Sequence, residues 1–147
     1  RRPPYAGRVV IRPRRLRALA QSLIERFEIK APGPQAPIMS LSGGNIQKCI
    51  LARELSLAKE FIIAEEPTRG VDVGSIEYIH RLLDESARKG FGVLLVSTDL
   101  DEILALSTRV MVMFSGRVMG EVRPGDQDAL QKIGLWMAGV RGEGMDA

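Results

Sequence analysis

The sequence FIIAEEPTRGVDVGSIEYIHRLLDESARKGFGVLLV, residues 61–96, decides the fold class of this 147-residue chain. It begins with a short apolar run over 61–64 and ends with a second one over 93–96. Between them, residues 73–89 place isoleucines and leucines at the spacing of an amphipathic helix. Unbroken apolar runs are typical of buried parallel strands, and a helix is the usual connection between such strands. The segment therefore predicts a strand–helix–strand unit of an α/β protein.

Further elements are predicted before this unit. Apolar residues at three- and four-residue spacing predict a helix over 13–29. Several prolines then predict a loop over 30–40, which leads into a helix over 44–57.

The chain beyond residue 96 predicts a second group of elements. They are a short helix over 99–106, hairpin strands over 110–114 and 117–121, and a last helix over 127–139. The hairpin is expected to turn at Ser115-Gly116, and Asp126 is expected to cap the last helix.

Composition excludes several classes of protein. The chain is 45% hydrophobic and 27% charged, which excludes a coiled coil and a disordered tail. Cys49 is the only cysteine, so a disulfide framework and a zinc site built from cysteines are excluded. No apolar run approaches the roughly 20 residues that a membrane-spanning helix needs. We therefore expect any membrane association to be peripheral.

Charge is concentrated at the start of the sequence. Residues 1–17 hold seven arginines and no acid, so the remaining 14 basic and 18 acidic residues sum to a charge of −4. A basic arm is typical of binding to nucleic acid or to an anionic membrane surface. The alternative, which we favour, is a solvated and flexible arm over 1–12, and we expect no nucleic-acid partner.

The first candidate site is Ser42-Gly43-Gly44, where the proline-rich loop meets the predicted helix 44–57. The first turn of a helix has unpaired backbone N–H groups and partial positive charge, which together favour a bound phosphate. Glycines would let an anion approach the backbone, and Ser42 would add a hydroxyl donor. The alternative is that Ser42 only caps the helix and that the glycines only loosen the loop.

The second candidate site consists of Glu65 and Glu66, which directly follow the predicted strand 61–64. Ligands of parallel α/β sheets bind beyond the carboxyl ends of the strands. One carboxylate there can bind Mg²⁺ while its neighbour orients or polarises a water molecule. Asp72 lies seven residues after Glu65, at the start of the next helix. The alternative is an acidic loop that only caps that helix.

The order and spacing of these motifs resemble the later half of an ATP-binding cassette (ABC) ATPase domain, over residues 13–122. LSGGNIQK, residues 41–48, resembles the family signature motif, and FIIAEE, residues 61–66, resembles the Walker B strand and the catalytic glutamate. GVDV, residues 70–73, falls at the D-loop, and VSTD, residues 96–99, falls at the switch region.

The resemblance implies an α/β fold that is part of the P-loop NTPase fold, with a parallel sheet and flanking helices. It divides the chain into four segments: a basic arm over 1–12, a remnant of the helical subdomain over 13–40, the ABC core over 41–122, and a C-terminal helix and tail over 123–147. Residues 65–80 and 95–121 are most similar to the second cassette of tandem-cassette importers for simple sugars and nucleosides, and more to the nucleoside branch than to the ribose branch.

The resemblance also assigns roles to residues. In the family, ATP lies between the Walker A loop of one cassette and the signature of the opposite one. The resemblance therefore implies that an ATP held by the first cassette is contacted by Ser42, Gly43, Gly44, Asn45 and Gln47. It implies a Mg²⁺ ligand in Glu65, the catalytic acid in Glu66, and nucleotide contacts in Asp72 and Thr98. The implied cofactors are ATP and Mg²⁺.

Two positions depart from the family pattern. The Walker B acid is usually Asp, and this chain has Glu65, whose longer side chain moves the carboxylate relative to a Mg²⁺ ion that demands near-ideal octahedral geometry. The switch residue is usually His, and this chain has Thr98, which has no imidazole. We therefore expect an asymmetric pair of sites, in which the site completed by the signature of this chain hydrolyses ATP and the other mainly binds it.

The 147 residues contain no G-x-x-x-x-G-K-[ST] motif, so the Walker A loop is absent from them. We expect that these residues alone neither bind ATP tightly nor hydrolyse it, because the phosphate cradle and its lysine are missing. We also expect the sheet built on 61–64 and 93–96 to expose apolar surface, which would make the isolated chain associate.

The resemblance implies that the parent protein is the ATP-hydrolysing subunit of an importer, peripheral on the cytoplasmic face of the membrane. Its expected partners are the first cassette or a second copy, the transmembrane permease subunits and, indirectly, an extracytoplasmic solute-binding protein. Two alternatives stay open: a soluble ABC ATPase that acts on ribosomes or nucleic acid, and a non-catalytic fragment that only binds an anion.

Overall fold

A computed structural model describes residues 12–58 and 60–140. Apart from Arg12, the arm predicted over 1–12 lies outside the described residues, as does the last part of the predicted C-terminal segment. The chain divides into two compact units, Arg1–Leu94 and Leu95–Ala147.

Among the described residues, the first unit contains two helices followed by the strand–helix–strand segment. Its elements in chain order are helix α1 (Pro13–Arg26), helix α2 (Gly43–Leu57), strand β1 (Phe61–Glu65), helix α3 (Val73–Arg88) and strand β2 (Gly92–Val96), whose last two residues fall in the second unit. A short 3₁₀ turn, Ile38–Ser40, lies inside the loop expected over 30–40.

Helix α1 begins with Pro13 at its first position, where the missing N–H costs nothing. It ends three residues earlier than expected because Glu28 adopts a left-handed conformation with φ 50°. The chain then returns towards α2, and Phe27 and Ile29, 2% and 6% exposed, form one buried cluster with Ala52.

Strands β1 and β2 pair in a two-stranded sheet and are joined through α3, which is the connection of parallel strands. The strand–helix–strand prediction is therefore confirmed. Phe61 lies over Gly92 on the neighbouring strand, where a Cβ atom would approach the ring to 2.6 Å and would displace it.

Strand β1 is buried on one face only, although an unbroken apolar run is typical of a strand buried on both faces. On β1, Ile62 and Ala64 are buried, whereas Phe61 and Ile63 are 57% and 65% exposed. Leu94 on β2 is 48% exposed. Side chains alternate between the two faces of a strand, and no element among the described residues covers the second face. The expectation of exposed apolar surface on this sheet is thereby confirmed.

The second unit contains helix α4 (Leu100–Leu106), strands β3 (Val110–Phe114) and β4 (Arg117–Val122), and helix α5 (Ala129–Met137). The hairpin is confirmed, since β3 and β4 pair antiparallel. Ser115 and Gly116 both have positive φ angles, 46° and 75°, as a two-residue type I′ turn requires. The core of the unit consists of Val110, Val112, Val122, Ala129, Ile133 and Trp136.

The start of the last helix differs from the prediction. Helix α5 begins at Ala129, and its N-cap residue, Asp128, makes no side-chain capping hydrogen bond. Asp126 instead accepts a hydrogen bond of 2.9 Å from the backbone N–H of Arg123 and closes the turn that follows β4. An aspartate stabilises turns and helix starts by the same local hydrogen bonding, so the pattern did not distinguish them.

Candidate functional site: the start of helix α2

Ser42 occupies the N-cap position of α2 in an extended conformation, but its side chain accepts no hydrogen bond from the helix backbone. Its Oγ atom instead accepts a hydrogen bond of 2.8 Å from Nδ2 of Asn45. The hydroxyl hydrogen therefore points away from Asn45 and is available to an external acceptor. The structure disfavours the reading in which Ser42 only caps the helix.

Asn45 is itself held by the segment that follows α1. Its Oδ1 atom accepts a hydrogen bond of 2.7 Å from the backbone N–H of Lys30. Both ends of the carboxamide are thus engaged within the chain, and contacts of Asn45 and Gln47 with a nucleotide stay predictions. Gln47 is half-buried in the second turn of α2.

The two glycines have a packing role that the sequence analysis did not anticipate. A Cβ atom on Gly43 would lie 2.9 Å from the carbonyl oxygen of Gly70, and one on Gly44 would lie 2.9 Å from Oδ2 of Asp72 and closer still to Ser75. The glycines therefore admit the close approach of Gly70, Asp72 and Ser75 of the same chain. Gly44 is buried, whereas Ser42 and Gly43 are exposed, so the start of α2 stays open on one side.

Asp72 caps helix α3. Its Oδ1 atom accepts from the backbone N–H of Ser75 at 3.0 Å, and its Oδ2 atom accepts from the hydroxyl of Ser75 at 2.9 Å. These hydrogen bonds hold the pKa of the Asp72 carboxyl below its usual value. The capping alternative is thus observed, and a nucleotide contact of Asp72 stays a prediction.

Glu65 is the last residue of β1 and Glu66 directly follows it, so both lie at the carboxyl end of the strand, as expected. Glu65 is exposed, and Glu66 is half-buried with φ 45°. A left-handed conformation is uncommon for a non-glycine residue and recurs where a side chain must be held in a defined direction. Pro67, which follows, is buried.

Glu65 and Glu66 could bind a Mg²⁺ ion only if phosphate and water supplied its other ligands. The described residues hold no group of three or more His, Cys, Asp or Glu side chains that could bind a metal ion. Mg²⁺ in nucleotide sites commonly takes one or two carboxylates and completes its shell with phosphate and water. Glu65 is accessible and can supply such a ligand.

Thr98 lies in the second unit, in the segment between β2 and α4, and is exposed. Its neighbours fix the backbone on both sides. The Oγ atom of Ser97 accepts from the N–H of Asp99 at 3.0 Å, and Asp99 caps α4 by accepting from the N–H of Asp101 at 3.0 Å. Hydrogen bonds thus hold the loop that carries Thr98, and a nucleotide contact of Thr98 stays a prediction.

One contact near the site was not foreseen. The Nζ atom of Lys48 lies 4.1 Å from the centroid of the Tyr78 ring and donates to the carbonyl of Glu28 at 3.2 Å. Tyr78 is buried on α3, and this burial raises the pKa of its hydroxyl. Only the helical spacing of Gly44 and Lys48, which places both on one face of α2, could have indicated a shared packing surface.

No helix among the described residues combines the length and the apolar character needed to cross a membrane.

No protein-family model matches the chain. It is nevertheless similar to curated import proteins. It is 40% identical over 136 residues to the guanosine import ATP-binding protein NupO of Bacillus subtilis, covering 92% of this chain and 26% of the relative. It is 46% identical over 126 residues to the glucose import ATP-binding protein TsgD13 of Haloferax volcanii, covering 84% and 23%. The chain thus spans about a quarter of the length of these relatives.

Solved structures show the same fold. The dimeric structure of MJ0796, a bacterial ABC transporter cassette, superposes with a TM-score of 0.66 and 25% identity, over 83% of this chain and 52% of the cassette. A post-hydrolysis state of the same cassette, bound to ADP and Pi, gives a TM-score of 0.65 and 27% identity. With the signature at the start of α2 and the paired glutamates at the end of β1, these similarities show that the chain belongs to the ABC ATPase family and forms part of one cassette.

Proposed function

We propose that the complete protein to which these residues belong is the ATP-binding and ATP-hydrolysing subunit of an importer for a simple sugar or a nucleoside. The support comes from relatives whose names describe import of guanosine, glucose and arabinose. The nucleoside branch is our narrower proposal.

The observation that carries the proposal is the start of α2. The Ser42 hydroxyl, oriented by Asn45, lies beside the first-turn N–H groups of a 15-residue helix. Backbone donors and the helix dipole favour an anion with several acceptor oxygens. The terminal phosphate of an ATP bound by the opposite cassette has that chemistry, and Ser42 would donate to one of its oxygens.

The glutamates act at the other nucleotide site. Glu65 would bind Mg²⁺, which offsets phosphate charge when bound, and Glu66 would accept a hydrogen bond from the attacking water and orient it. The left-handed backbone of Glu66 is a conformation that clusters at active sites, which supports a role in the site. Thr98 would contact the nucleotide through its hydroxyl.

The two sites are proposed to be unequal. Thr98 cannot supply an imidazole, and Glu65 places its carboxylate one methylene further from the strand than an aspartate would. The site completed by Ser42, Gly43 and Gly44 is therefore proposed to hydrolyse ATP, while the site built on Glu65 mainly binds it.

The partners follow from this role. The signature would face the first cassette of the same protein or a second copy, and the assembled cassettes would contact transmembrane permease subunits on the cytoplasmic side of the membrane. An extracytoplasmic solute-binding protein would contribute indirectly.

The proposal is tested with the complete protein and its permease in proteoliposomes. We expect ATP-dependent uptake of labelled guanosine or arabinose, which the Ser42→Ala variant loses. ATPase activity that responds to ribosomes or DNA instead of transport substrates would overturn the importer assignment and favour a soluble ABC ATPase. Absence of any ATP hydrolysis would favour a fragment that only binds an anion.

A further inference from the structure

Helices α2 and α3 pack through matched stripes of residues. Gly44 and Lys48 lie one turn apart on α2 and contact Ser75 and Tyr78, which lie one turn apart on α3. Further along, Leu82 of α3 packs against the buried cluster that contains Ala52. The contact begins at the signature glycines and continues along the helix.

Lys48 is the charged member of this surface. Its ammonium group lies over the face of Tyr78, 4.1 Å from the ring centroid, and it also donates to the carbonyl of Glu28. Tyr78 is 7% exposed, and Lys48 is half-buried. A cation over a desolvated aromatic face is held more strongly than one at an exposed site.

Lys48 lies close enough to the start of α2 for its contact with Tyr78 to restrain the orientation of that helix end. Lys48 is four residues after Gly44, which places it about 6 Å along the helix axis from Gly44, in the second turn of α2. A rotation of α2 that turned its first N–H groups away from a phosphate would also move the ammonium off the ring. The Ser75 side chain blocks the same movement at Gly44, because no space remains between them.

We propose that Lys48 and Tyr78 are positioning residues for ATP hydrolysis, which hold the start of α2 in the orientation that engages the terminal phosphate. The inference rests on the proposed function of the signature. Neither residue touches the nucleotide. Without their contact, α2 occupies the competent orientation for a smaller fraction of the time, and apparent affinity for ATP falls by that fraction.

The experiment measures ATP hydrolysis by the complete protein over a range of ATP concentrations. Lys48→Met and Tyr78→Leu should each raise KM for ATP by roughly 3- to 10-fold, as expected for loss of a partly desolvated cation–π contact, with kcat changed less than twofold. The double variant should raise KM by less than the product of the two single effects, because both substitutions remove the same cation–π contact, while Lys48→Met also removes the hydrogen bond to Glu28.

Conservative and control variants separate positioning from stability. Lys48→Arg and Tyr78→Phe keep a cation and a ring and should restore KM. Arg81 lies 5.2 Å from the same ring but is on α3 itself, so Arg81→Met removes a cation–π contact without touching α2 and should leave KM and kcat unchanged.

Additive effects of Lys48→Met and Tyr78→Leu, a loss of kcat with unchanged KM, or an Arg81→Met variant that behaves like Lys48→Met would overturn the positioning role. If Tyr78→Leu does not fold, the comparison of Lys48→Met with Lys48→Arg decides by itself. An inactive wild-type protein would instead count against the proposed function.

Discussion

Ser42 and Asn45 are joined by a hydrogen bond of 2.8 Å in which the Asn45 amide donates to the Ser42 hydroxyl oxygen. The direction of this bond matters, because an oxygen that accepts from Asn45 keeps its own hydrogen for another partner. A serine at an N-cap usually accepts from the helix backbone, and Ser42 does not. The start of α2 is thus arranged to donate outwards.

The first prediction concerns that donor. Ser42→Ala should lower kcat/KM for ATP hydrolysis by the complete protein by roughly 10- to 100-fold, the value of a hydrogen bond to a charged group. Ser40→Ala is the matched control, because Ser40 is also exposed and its hydroxyl donates only to the carbonyl of Pro37. Equal activity of the two variants would contradict the role of Ser42.

The second prediction concerns the asymmetry of the two sites. Glu66→Gln should lower ATP hydrolysis by less than about threefold, whereas the matching change in the first cassette should lower it by about 100-fold or more, the range of a lost general base. The reason is that Glu65 stands where the family usually has aspartate, so the site to which Glu66 belongs is proposed mainly to bind ATP. Steady-state phosphate release from purified transporter measures the ATPase activity of both variants. Equal loss of activity in the two variants would contradict the proposed asymmetry.

The third prediction concerns the cap of α3. Hydrogen bonds from Ser75 lower the pKa of Asp72 from 3.8, so its charged form stabilises the helix start fully above about pH 4 and loses this effect as pH falls through the lowered pKa. Asp72→Ala should therefore speed amide exchange at residues 73–79 more at neutral pH than at pH 3, after correction for intrinsic rates. Asp84→Ala, on the exposed face of α3, should not. A difference that grew with acidification would contradict this account.

The fourth prediction concerns the exposed face of the sheet. The isolated 147-residue chain should self-associate, because Ile63 and Leu94 are 65% and 48% exposed on neighbouring strands. Light scattering should show smaller particles for the Ile63→Gln, Leu94→Gln variant. Met39→Gln serves as control, since Met39 is 89% exposed but lies in the 3₁₀ turn. A monodisperse wild-type monomer would refute the prediction.

Local patterns predicted most of the elements. The strands, the hairpin turn and helices α2 and α3 follow from apolar spacing, glycine and capping residues within a few positions of one another. An apolar run does not indicate which neighbours cover the two faces of a strand, so the alternation of buried and exposed residues on β1 could not be read from it, as Ile63 demonstrates. The start of α5 was mispredicted because Asp126 and Asp128 are equally plausible caps in sequence.

The residues of the candidate site could be predicted from sequence motifs, but the contacts between them could not. Several contacts near the start of α2 join residues that are distant in sequence. Examples are the hydrogen bond between Lys30 and Asn45 and the cation–π contact between Lys48 and Tyr78. Such pairs arise from the packing of α2 against its neighbours, and no local rule specifies them. The close approach of Gly70 to Gly43 belongs to the same class.

The central claim is that the first-turn amides of α2 bind the terminal phosphate of an ATP held by another cassette. Amide hydrogen exchange in the complete protein tests it directly at residues 41–48, with residues 129–137 as an internal reference. A slowly hydrolysed ATP analogue should slow exchange at 41–48, and ADP, which has no terminal phosphate, should not. Equal exchange with the two nucleotides would contradict the account.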